Sequence, residues 1–105
     1  MLVSTINNQT NFTGVFKIAQ NINPKTKANF YKVMDDIGLH EKPYDIIVKK
    51  HPENQNFLTV TAQNTKNPSE NYSIWIHHFM ERIPSLKDAV KTTMQGYEEQ
   101  FNRII

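Results

Sequence analysis

The 105-residue chain has no cysteine. Disulfides, thiolate catalysis and cysteine-based zinc sites are therefore excluded. The lack of cysteine suits a reducing compartment, and a cytoplasmic location is the expectation. Glycine is scarce, with three residues, so reversals of the backbone must rely on asparagine and proline. No apolar run approaches the ~20 residues needed to span a bilayer, so no membrane association is expected. The opening MLVSTINNQTNF has neither a basic segment nor an apolar centre, so no signal peptide is expected there. Charge of one sign is also lacking: the formal net charge is +2. Seven lysines face four acids up to His51, and five basic residues face six acidic ones beyond it. Such a balance is a weak argument for nucleic acid unless the cations cluster on one face.

Motifs that carry chemistry are missing too. There is no GxSxG, no phosphate-binding glycine run, no GxGxxG and no HExxH. The carboxylate pairs Asp35-Asp36 and Glu98-Glu99 fall on helical patterns and read as solvated faces. No enzymatic activity, cofactor or small-molecule substrate is expected. Four histidines invite a metal reading. His77 and His78 are adjacent, so on a strand they point to opposite faces, and His40 and His51 lie in separate loops. A closed site needs three or four converging ligands, so no metal site is expected.

What remains is a small globular composition, 38% hydrophobic and 21% charged. One domain over residues 12–105 is the simplest reading, behind a flexible tail at 1–11. Residues 12–19 (FTGVFKIA) read as a first strand, with Phe16 and Ile18 on the more buried side. Asn23 caps a helix and Pro24 suits its first position. Phe30, Val33, Met34 and Ile37 give it one apolar stripe, and Gly38 is the expected stop. Residues 44–50, 57–63 and 71–79 read as three further strands. The loops between them are short and rich in turn formers. Ser85 is the expected cap of a last helix, whose stripe runs through Leu86, Ala89, Val90, Thr93, Met94, Tyr97, Phe101 and Ile104. Gly96 marks a close packing point on it. The fold class is α+β in the order β-α-β-β-β-α. An antiparallel meander sheet is expected, with both helices on one face.

The stretch NYSIWIHHF at 71–79 carries bulk on both sides, unlike a strand with one solvated face. Tyr72, Ile74 and Ile76 have the core to face. Trp75, the one tryptophan of the chain, and His77 then point to the open face of the sheet, with Ile47, Lys49, Thr59 and Thr61. Tryptophan supplies much of an interface's energy when covered, so this face is the candidate for binding another protein or a second copy of the chain. The competing reading places Trp75 in internal packing. Small inhibitors and adaptors of mobile elements share this size and lack of motifs. The Asn, Lys and Ile bias resembles AT-rich bacterial or phage genomes.

The α-β-β-β-α order resembles that of the double-stranded-RNA-binding domain. With the first strand added, it is also similar to the ribosome hibernation factors. Pro43-Tyr44, His51-Pro52, Phe57 and Ser85 to Ala89 carry the first resemblance, and the basic cluster of that family is reduced to Lys87 and Lys91. The resemblance implies RNA as the alternative partner, held by Lys49, Lys50, Lys87 and Lys91.

Overall fold

A computed structural model describes residues 14–101. The expected tail and Ile104 lie outside these residues. The elements are β1 (Phe16–Ile18), α1 (Pro24–Asp35), a 3-10 turn (Leu39–Glu41), β2 (Tyr44–Lys50), β3 (Phe57–Asn64), β4 (Asn71–His77) and α2 (Ile83–Gln100). They form a four-stranded sheet in the order β1-β2-β3-β4. The class is α+β, in the order expected.

The sheet is mixed. The β2–β3 and β3–β4 pairs form the expected antiparallel meander. β1 instead runs parallel to β2, with Phe16, Lys17 and Ile18 opposite Ile46, Ile47 and Val48. Parallel neighbours need a crossover, and α1 supplies it. β1 is short, and a carboxylate helps to hold it. Asp45 is 5% exposed. It accepts the Val15 N–H at 2.9 Å and the Thr65 hydroxyl at 3.3 Å, and Lys17 Nζ lies 3.7 Å away. Gly14 precedes the strand for a steric reason. A Cβ there would sit 2.2 Å from the Tyr44 carbonyl oxygen and 2.6 Å from that of Leu39.

Asparagine does the turning that glycine does elsewhere. Asn64 Oδ1 accepts the N–H groups of Lys66 and Asn67, both at 2.9 Å, at the start of the β3–β4 loop. Asn23 Oδ1 accepts the Lys25 N–H at 2.8 Å, with Pro24 at the first helical position. The ends of the helices differ from expectation in two places. α1 stops at Asp35, and Gly38 has φ −75° and starts the 3-10 turn. It is therefore not a left-handed stop. α2 begins at Ile83 with Pro84 in its first turn, and Arg82 precedes it without a side-chain cap. Ser85 is already inside the helix. Proline's fixed φ starts the helix earlier than the serine signal implies.

The core lies between the sheet and the helices. Tyr44, Ile46 and Val48 of β2, Leu58, Val60 and Ala62 of β3 and Ile76 of β4 are all buried there. Phe30, Val33 and Met34 of α1 and Leu86, Ala89, Val90, Thr93 and Tyr97 of α2 close it. Gly96 admits the Tyr72 ring: a Cβ would lie 2.3 Å from Tyr72 Cε2. Two buried phenols, Tyr44 and Tyr97, finish one end, their rings 4.5 Å apart. Tyr44 donates a hydrogen bond to Glu98, which also pairs with Lys42 Nζ at 3.2 Å. Burial, and then the Glu98 carboxylate, push the Tyr44 phenol well above its ordinary range. The Tyr97 hydroxyl accepts from Asn64 Nδ2 at 3.1 Å and donates to Glu70 Oε1 at 3.3 Å. No helix among the described residues is long and apolar enough to cross a membrane.

Candidate interaction surface

Strand alternation puts the odd-numbered residues of β2, β3 and β4 on the face away from the helices. Cross-strand register arranges them in rows. Lys49, Thr59 and Trp75 form one row, and Ile47, Thr61 and Ser73 form the next. Lys17 of β1 extends the second row beyond Ile47. Phe57 and His77 form a shorter row at the end nearer the β2–β3 hairpin. The face is thus polar in its middle and aromatic at one end.

The aromatic end is a continuous strip. The Phe57 ring lies 5.9 Å from Trp75 and 5.6 Å from His77. His77 lies 4.9 Å from Phe79, just beyond the strand. Trp75 is 59% exposed and Phe79 74%. Two large rings left in water on one strip are unusual, because tryptophan in a monomer is mostly covered. His51 anchors the strip from behind. It is buried, and its ring meets Trp75 edge-on at 4.0 Å. Its Nδ1 accepts the N–H groups of Glu53 at 3.0 Å and Asn54 at 3.1 Å, so the neutral ring carries its proton on Nε2. The buried, hydrogen-bonded histidine is thus a loop residue, a role that its place in the sequence does not announce.

The expected contact residues fall into two groups. Trp75, His77 and Lys49 are exposed, and Ile47 is half-buried. Thr59 is 8% exposed, and its hydroxyl donates to the Lys49 carbonyl at 3.3 Å. Thr61 shares a 2.6 Å hydrogen bond with Ser73. Both threonines are therefore engaged within the sheet, and Thr59 offers a partner almost no surface. Sequence reasoning missed Phe57, Phe79 and His51. The first two share the parity of Trp75, which is a usable signal, but Phe57 opens its strand and Phe79 follows the observed end of β4. His51 has no such signal, because its side chain serves the hairpin loop.

The four lysines expected for RNA do not share one surface. Lys49 is on the open face, whereas Lys87 and Lys91 ride on α2, which packs on the opposite side. Lys50 lies between, beside the start of α1. Among the described residues, no three histidine, aspartate or glutamate side chains converge as a metal site. No family model, curated protein or solved structure matches the chain.

Proposed function

We propose that this chain is a protein-interaction domain whose partner docks on the aromatic strip of the open sheet face. The observation that supports this is the exposure of Trp75 beside Phe57, His77 and Phe79, while Leu58, Val60, Ala62 and Ile76 on the helix-covered side of the same strands are buried. A ring of this size buries roughly 150–250 Å² when covered, and such rings dominate interface energies. Lys49, at the far end of the Trp75 row beyond Thr59, suits an acidic residue at the partner's rim. No catalytic role is assigned to any residue.

The test compares wild type with Trp75→Ala in a pull-down from host extract, followed by mass spectrometry and nucleic-acid analysis. The expected result is a protein captured by wild type and lost by the variant, with circular dichroism unchanged. Sedimentation of the purified chain identifies the case in which the partner is a second copy. Capture of the same protein by both forms, or an unfolded variant, refutes the docking site. The alternative, RNA, predicts a duplex-RNA gel shift that weakens steeply with salt.

A further inference from the structure

An opening lies on the helix side, at the end of the molecule that carries the aromatic strip. It has a volume of about 410 Å³, within the range of small-molecule sites. The start of α1, the β2–β3 hairpin and the segment after β4 surround it, with Ile22, Leu58 and Phe79 as its apolar wall.

Its polar side is unusual for what is left unpaired. Thr26 lines the opening and is 1% exposed. Its hydroxyl has no hydrogen-bond partner among the described residues. Its N–H belongs to the first turn of α1, where helical donors have no intrahelical acceptor. The cap leaves it unserved: Asn23 Oδ1 takes the Lys25 N–H, and the Asn23 carbonyl takes that of Lys27. A buried threonine with two idle donors costs free energy unless something accepts from it. Lys50 stands in the same opening with no ion-pair partner among the described residues. His78 also lines the opening, with its Nδ1 3.2 Å from the Gln55 carbonyl. The one carboxylate at the rim, Glu81, is paired with Lys25 at 3.8 Å.

We propose that this opening binds a small organic oxyanion. Its phosphate or carboxylate group is held by the Thr26 hydroxyl and N–H together with Lys50. Its flat apolar body lies against Phe79 and Leu58. Idle donors, a helix N-terminus and an unpaired ammonium all favour negative charge, and the apolar wall favours a body larger than a bare ion. The opening shares only Phe79 with the aromatic strip, and its other lining residues lie off the open sheet face, so this ligand is additional to the protein partner.

Amide NMR titration tests it with three probes: inorganic phosphate, phenyl phosphate and benzoate. Each is compared with sodium chloride at equal ionic strength. The expected result is a saturable shift of the Thr26 and Phe79 amides with a phenyl-bearing anion, and a weaker response to inorganic phosphate. The tighter of phenyl phosphate and benzoate names the head group. Thr26→Val keeps the shape of the buried side chain and removes the hydroxyl, and is expected to weaken binding about tenfold. Thr26→Ser restores it, and Lys50→Gln weakens it by a comparable factor while leaving amide dispersion intact. Shifts no larger than those of the salt control, or unchanged affinity in both Thr26→Val and Lys50→Gln, overturn the proposal.

Discussion

Ile76 and Trp75 are neighbours on β4, and one is 5% exposed while the other is 59% exposed. The same strands thus present two different surfaces. On the helix side, Tyr44, Ile46, Val48, Val60 and Ala62 have no exposure at all, and α2 closes over them with Leu86 and Val90. On the open side of the strands, only Asp45 and Thr59 are buried, and both are engaged within the chain. The core is complete without the aromatic strip. Substitutions on the two faces should therefore separate stability from binding.

The largest effect should come from the helix side. Leu86→Ala empties a fully buried position and is expected to cost about 4 kcal/mol by chemical denaturation. Gly14→Ala should follow at about 3 kcal/mol, because the added methyl meets backbone carbonyls rather than a side chain that can swing away. Its loss should appear as early exchange of the β1 amides.

Tyr44→Phe is smaller, about 1–2 kcal/mol, since it removes the hydrogen bond to Glu98 but keeps the ring. It also carries a pH signature. The folded-state pKa of Tyr44 is raised above the ordinary value of 10.0. The folded state therefore holds the proton more tightly, and the associated stability is fully present below pH 10. It is lost as pH rises from there toward the higher folded-state value. Alkaline unfolding above pH 10 should be shallower in Tyr44→Phe than in wild type. Trp75→Ala is expected to be the mildest, about 1 kcal/mol or less, through its lost ring contact with His51. If it destabilises as much as Leu86→Ala, the contrast between the faces fails and Trp75 belongs to the core.

Much of this division is legible in the period-two alternation of the chain, which puts Tyr44, Ile46 and Val48 inward and Trp75 outward. The asparagine cap at Asn23 and the packing role of Gly96 are local signals, and the structure agrees with both. Less legible is anything decided by distant neighbours. The parallel pairing of β1 depends on where α1 delivers the chain, which no local residue encodes. Parity assigns Asp45 to the open face, but its partners Val15 and Thr65 lie 30 and 20 residues away. Thr59 misleads in the same way, because alternation gives a direction and not whether neighbours fill the space. Thr26 carries no sequence signal at all, because an idle hydroxyl is defined only by what fails to surround it.

The carboxylate of Asp45 has a consequence in time as well as in space. β1 meets β2 across 30 residues of chain, so its pairing waits for the chain between them to be ordered. The meander closes through loops of six residues each and needs no such wait. The three residues of β1 should therefore dock late, onto a sheet already formed, with Asp45 as the latch that the Val15 amide finds on arrival. The same order should run backwards in the native state, with β1 the strand that lets go first and the hairpins left standing.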